Sequence, residues 1–432
     1  MDKNRIHLFR RRRETDKRYR RYVRCLTVIL LSVVMLCAGC TVKDAEGSSA
    51  GGSGEQTAAA DSRQNEAGSS TEAAPKTETA ATASRSWNNM SPVSSMDLLY
   101  ADQFSVDYYE NDISLITIED TDQFLLLPEG MSAPAGLPDS IKILQKPVKN
   151  IYLVATSAMD DFIHLDAMDL IALSGTKDTG WYLPEAKTAM EEGKIAYAGK
   201  YSAPDYEKIL SSDCGLAVES TMIYHTPEVK EQLERLGIPV LVERSSYEGH
   251  PLGRMEWIRL YGVLTGKEAE AEQIFRENID ALSDVLDMEP SGKTAAFFYV
   301  TNSGSVNVRK NGDYIAKMIA LAGGTYIPGN AGSDENALST MNMDFESFYA
   351  AAKDADVLIY NSTIDGELTA IDELCAKNQL FADFKAVKEG NVWCTGKNMF
   401  QETMGLGDMI RDMNAVFADD TEYSFTYLHQ LK

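Results

Sequence analysis

From residue 150 onward, short, wholly apolar runs alternate with amphipathic stretches. IYLVAT (151–156) predicts a strand and is followed by a helix near 157–168, then by LIALSG (170–175). A helix near 184–192 leads to KIAYAG (194–199), and a helix over 204–211 leads to GLAVES (215–220). TPEVKEQLERLG (226–237) reads as a complete helix, with Thr226 as its cap, Pro227 and Glu228 opening it and Gly237 ending it. It feeds the strand PVLVER (239–244). Short, β-branched, apolar strands between amphipathic helices predict a buried parallel sheet with helices on both faces.

The texture changes between Gly253 and Met288, where no strand-like segment occurs. GKEAEAEQIFRENIDALSDVLDM (266–288) places Ala271, Ile274, Phe275, Ile279, Leu282, Val285 and Leu286 at helical spacing. After PSG (290–292) the alternation restarts with TAAFFYV (294–300), a helix over 312–322, YIP, a helix over 344–352, DVLIYNS (356–362), NVWCTG (391–396) and a last helix near 403–417. The lead-in with ITIED, FLLLPEG and IKILQ reads as an extra strand-rich piece. The expected fold class is α/β: two Rossmann-like lobes with parallel sheets, plus an N-terminal strand-rich extension. The boundaries fall at 87–149 for the lead-in of the first lobe, 150–252 for the N-terminal lobe, 253–289 for a connecting helical segment and 290–432 for the C-terminal lobe.

What precedes residue 87 has another composition. Residues 1–24 are strongly basic, and CLTVILLSVVMLCAG (25–39) is apolar but shorter than the ~20 residues of a membrane span. It ends in LCAGC, which resembles the lipobox of bacterial lipoproteins. On that resemblance 1–39 is a signal peptide, and Cys40 becomes the lipidated first residue. Residues 40–86 are then an anchored linker of Ala, Gly, Ser, Thr and Glu without apolar periodicity. A random coil of that length reaches roughly 35–40 Å. The formal charge of −24 understates the body's acidity, because 11 of the 41 basic residues lie in the first 24 positions. So acidic a body argues against nucleic acid as a partner, since a phosphate backbone is held by Lys and Arg. Cys214, Cys375 and Cys394 form no CxxC or Cys/His cluster, which argues against a disulfide framework or structural zinc.

Enzyme motifs are scarce: the sequence contains no HExxH, GxSxG, Walker A or strand-borne GxGxxG, and its five histidines include no pair at ligand spacing. In an open α/β sheet ligands sit beyond the C-terminal ends of the strands. That rule nominates Trp181, Tyr182, Tyr224, His225, Tyr247, His250, Arg254, Arg309 and Lys310 as ligand-binding, with Trp257 in the same loops. Aromatic rings offer flat apolar contact and the bases offer charge-assisted hydrogen bonds to anionic groups. A second pattern is a repeat. SAPDYEKIL before GLAVES and MDFESFY before DVLIYNS both place Asp, an aromatic and Glu at a helix start. Compensation of one helix dipole explains either carboxylate singly, but not the recurrence. Glu207 and Glu346 are therefore candidates for docking on two arginines of a two-fold membrane partner.

Residues 150–420 resemble the iron-siderophore, haem and cobalamin binding proteins of ABC importers. The resemblance is carried by KYSAPDYEKIL…GLAVES, LERLGIPVLVE, LYGVLTGKEAEAEQIF, YIAKMIALAGGTYI, FESFYAAAKDADVLIYNS and FKAVKEGNVW. It implies two lobes joined by a single long helix, here 267–287, with ligand in a shallow cleft and only small lobe movement. It also implies that Glu207 and Glu346 dock to permease arginines. The expected function is that of a membrane-anchored receptor on the outer face of the cell membrane, without catalytic residues, bound metal or intrinsic cofactor. It would deliver an iron-siderophore, otherwise haem or cobalamin, to a permease dimer with its ATPase. A chelate-processing enzyme or sensor on the same fold is the alternative. The lead-in departs from the minimal family pattern.

Overall fold

The computed structural model describes residues 86–329 and 340–432, all within one compact unit, Ser84–Lys432. The signal peptide, Cys40 and the linker lie outside the described residues.

The lead-in forms a sheet of its own. Strands β1 (Ser94–Ser95), β2 (Phe104–Tyr109), β3 (Ile113–Ile118), β4 (Asp122–Pro128) and β5 (Ile141–Lys146) lie side by side in chain order. All pairings are antiparallel except β4 with β5. Two buried carboxylates fasten it to the rest of the molecule. Glu256 accepts the backbone N–H groups of Leu99, Tyr100 and Ala101 at 2.7, 2.7 and 2.8 Å, and Arg259 bonds it at 2.7 Å. Glu248 accepts the N–H groups of Asp102 and Gln103 and the indole N–H of Trp257. Each backbone donor that the strand-poor stretch 99–103 would leave unpaired thus finds an ionisable acceptor.

The first α/β sheet is parallel, with β6 (Ile151–Leu153), β7 (Ile171–Ser174), β8 (Ala196–Tyr197), β11 (Leu216–Ser220) and β12 (Val240–Glu243) in the order β12-β11-β6-β7-β8. The expected strand at 194–199 shrinks to the two residues of β8. The following β9 (Gly199–Lys200) and β10 (Ala203–Pro204) form a separate hairpin. Thr226 occupies the N-cap of helix Pro227–Arg235 as expected, but its hydroxyl accepts no backbone N–H.

The second sheet contains β13 (Thr294–Val300), β14 (Val306–Arg309), β15 (Thr325–Ile327), β16 (Thr340–Met343), β17 (Val357–Tyr360), β18 (Val392–Thr395) and β19 (Leu428–Gln430). Its centre β15, β13, β17, β18 is parallel, whereas β14, β16 and β19 run antiparallel to their neighbours. Residues 301–305 make a tight turn with Gly304 at φ 81°, and this returns the chain along β13. A loop was expected there.

The connection also differs from one long helix. Helix Trp257–Thr265 is buried at every position and ends at Gly266 in the left-handed conformation. Helix Glu268–Ala281 then packs back against it, and a short turn, Ser283–Leu286, follows beyond Leu282. The two helices approach closely at Gly262, where an added Cβ would meet that of Ala271 at 2.5 Å. A single apolar cluster runs from Phe104 and Val106 through Leu153, Val218, Ile258 and Leu264 to Phe297, Ile315 and Met409. The two α/β sheets, the lead-in and the connecting helices therefore share one core.

Candidate ligand-binding site

The residues that follow strand ends of the first sheet fall into three groups. The first gathers round Arg244, directly after β12. Its guanidinium donates to the Tyr224 hydroxyl at 2.8 Å and to the side-chain carbonyl of Gln103, and lies 4.3 Å from the centroid of the Tyr247 ring. Glu119, from the β3–β4 turn of the lead-in, pairs with it at 2.9 Å. Tyr224 and Tyr247, both expected, are thus brought together by an arginine that sequence reasoning passed over. The clue was available, because Arg244 is the charged residue that closes an apolar strand. Beside them Met222 and Tyr224 are exposed, as is His225.

The second group bridges the two sheets. Backbone N–H of Tyr182 donates to Gln401 at 2.8 Å, and Gln401 donates in turn to the Gly180 carbonyl. Thr403 donates its hydroxyl to the Ser157 carbonyl, and Met404 N–H donates to Asp160 at 2.8 Å. Lys397 stands 6.0 Å above the exposed Tyr182 ring. Asp160 also holds His164, whose Nδ1 lies 3.3 Å from the carboxylate; that hydrogen bond pushes the imidazole pKa up to about 9.

The third group unites two of the expected bases. Arg254, in helix Pro251–Met255, lies 4.1 Å from the centroid of Tyr314, and Arg309, from β14, lies 6.0 Å from the same ring. Arg309 is also 5.5 Å from the Phe400 ring and 3.5 Å from Asp313. Asp313 caps helix Tyr314–Leu321 by accepting the Ile315 N–H at 2.8 Å. Arg309 reaches this junction because β14 folds back as a hairpin strand; it does not come from a loop beyond a strand end. Lys310 follows it, half-buried. Behind Arg254 lie Asp161 and Glu243. Burial raises Asp161 well above the usual carboxylate range, the charges of Asp160 and Glu243 add to the rise, and Arg254 opposes it.

Three expected ligand residues have other work. Trp181 is 2% exposed and belongs to the core. Trp257 is wholly buried, edge-on to Phe104. His250 caps helix Pro251–Met255 through Nδ1, which accepts the Leu252 N–H at 3.2 Å, and its ring stacks on Tyr100 at 4.9 Å. For Trp257 and His250 the lead-in supplies the neighbour, Phe104 or Tyr100, that a strand-end rule alone leaves out. Glu219 at the end of β11 is wholly buried with both carboxylate oxygens unpartnered, and burial pushes its pKa up to about 8. The end of that strand therefore does not present Glu219 to cargo.

The repeated acidic pairs take the same form twice. Asp205 caps helix Tyr206–Ser211 by accepting the Lys208 N–H, and Asp344 caps helix Phe345–Ala352 by accepting the Ser347 N–H. In each helix the aspartate does the local capping and the glutamate two residues on, Glu207 or Glu346, is exposed. Cys214 and Cys375 are half-buried and Cys394 is buried; all three are free thiols.

A family model described as "Periplasmic binding protein" matches residues 155–399, more than half of the chain. An uncharacterized lipoprotein of Methanocaldococcus jannaschii is 26% identical over 334 residues, covering 70% of this chain and 77% of the relative. A periplasmic heme binding protein from Pseudomonas aeruginosa shares the fold at a TM-score of 0.50 and 16% identity, over 66% of this chain and 98% of its own. A periplasmic binding protein from Veillonella parvula does so at a TM-score of 0.50 and 16% identity, over 63% and 92%. At such identities the two structures speak to fold alone. The match over 155–399 decides the assignment: the chain belongs to the periplasmic binding protein family, whose members bind substrates and are not enzymes.

Proposed function

We propose that this chain is a lipid-anchored receptor of an ABC importer that captures a metal chelate, an iron-siderophore before haem or cobalamin, and hands it to a permease dimer with its ATPase. The observation that carries the reading is the meeting of aromatic and cationic side chains where the two α/β sheets face each other: Tyr182 with Lys397, and Arg254 and Arg309 round Tyr314. Large exposed apolar residues follow the C-terminal ends of β7, β11 and β17, namely Tyr182, Met222, Tyr224 and Ile364. Flat apolar surface with a few convergent charges suits a ring-bearing chelate. Membership of a substrate-binding family supports capture without turnover. The lipobox-like LCAGC, and relatives named lipoproteins, support an extracytoplasmic, anchored location.

Titration of the full chain in detergent with haemin, ferric citrate, ferrioxamine B and cyanocobalamin, followed by tryptophan quenching, tests it. Saturable binding of at least one chelate, recovered unchanged, is the expected result. Absence of binding to all four, or chemical conversion of a bound one, sinks the reading.

A further inference from the structure

Arg254 and Arg309 flank the same ring, yet their circumstances differ. Arg309 has Asp313 at 3.5 Å as its counter-charge. Arg254 is 6% exposed, its Nε is withdrawn from solvent without a partner, and its side chain makes no hydrogen bond or ion pair among the described residues. Its neighbour Asp161 leaves Oδ1 equally unpartnered. A buried N–H donor of a guanidinium left without an acceptor is costly, because the charge cannot be discharged. The Tyr314 ring covers one face and returns only part of that cost. Asp161 answers it only in part, since burial and the nearby Asp160 and Glu243 charges raise its carboxyl well above the usual range while Arg254 opposes that rise. Arg254 belongs to a helix that follows the first sheet and Tyr314 to one that follows β14, so the guanidinium stands where elements of the two sheets meet.

We infer that Arg254 is the anchoring point for an oxyanion on the cargo, a carboxylate or a group of like charge and shape, while Arg309, already paired, only supports Tyr314 beside it. This rests on the reading of the junction between the two sheets as the cargo site. A carboxylate matches the guanidinium fork bidentately. Cargo bearing such a group is then selected over neutral or cationic chelates.

The test uses the full chain as wild type, Arg254→Gln and Arg309→Gln. Each is titrated with haemin, haemin dimethyl ester, ferric citrate and ferrioxamine B, and each is melted without ligand. The wild type should bind at least one carboxylate-bearing probe at least tenfold more tightly than the ester or the hydroxamate. Arg254→Gln should lose that preference yet melt, unliganded, no lower than wild type, because it removes an unsatisfied charge. Equal binding of the carboxylate probes by Arg254→Gln overturns the inference, as does an unliganded melt several degrees lower, which marks a structural arginine. If no probe binds wild type, the chelate reading falls and the arginine is judged on citrate alone. A citrate-induced rise in Tm that Arg254→Gln lacks supports the anchoring role; equal shifts, or none, overturn it.

Discussion

At the scale of single residues, Asp160 does two things at once. It accepts the Met404 N–H from the far side of the junction and it holds His164. The His164 pKa stands at about 9, against an ordinary value near 6.5, first because of its hydrogen bond to Asp160. A raised folded pKa means that the folded state binds the proton more tightly than the unfolded chain. The stabilisation is fully present below about pH 6.5 and fades as pH rises towards 9. The ring is partly exposed, so solvent reduces the effect. Urea unfolding between pH 6 and 9 should show stability falling in the wild type and falling less steeply in His164→Gln. Parallel curves would remove His164 from the account.

At the scale of elements, the most specific device is the fastening of the lead-in. Glu256 is wholly buried and satisfies three consecutive backbone N–H groups, so removing its carboxylate orphans them together with one contact of Arg259. Stranding buried donors costs about 1–3 kcal/mol, and breaking a buried ion pair about 3–5. Glu256→Ala should therefore lose about 3–5 kcal/mol and accelerate amide exchange over residues 97–103 well before that of β11 or β17. Unchanged protection there would show the sheet to be held by other contacts. The same stretch shows what the pattern along the chain conveys. DYEKIL and DFESFY mark two helix starts, which the structure shows capped by Asp205 and Asp344, because such a start is set by residues three apart. The stretch that carries Tyr247, His250, Arg254 and Trp257 hides its fastening role, because the partners of Glu248 and Glu256 stand about 150 positions away. Periodicity carries no information at that range.

At the scale of the molecule, one apolar cluster joins the lead-in, both α/β sheets and the connecting helices. Lobes that share a core do not unfold singly. Calorimetry of the full chain should give one endotherm for residues 86–432 with calorimetric and van't Hoff enthalpies in agreement; two resolved transitions would show separable lobes. The exposed Glu207 and Glu346 belong to this scale too, since a two-fold partner reads both at once. Glu207→Ala with Glu346→Ala should leave chelate affinity unchanged and reduce uptake by intact cells at least tenfold. Full uptake by the double variant would end the docking role.

Taken alone, the sequence was enough for the α/β class, the order of most strands and helices, and the two exposed glutamates. Each follows from the identity of a residue and of neighbours within one or two turns. Tertiary structure decided which side chains meet. It buried Trp181 and Trp257 in the core, turned His250 into a cap and divided the connecting helix at Leu282. It also folded β14 back so that Arg309 reaches Tyr314, and left Arg254 beside the same ring without an acceptor. The physical reason is one of distance. Burial and pairing of a side chain depend on segments that fold over it from elsewhere in the chain, and local pattern does not record what those segments will be.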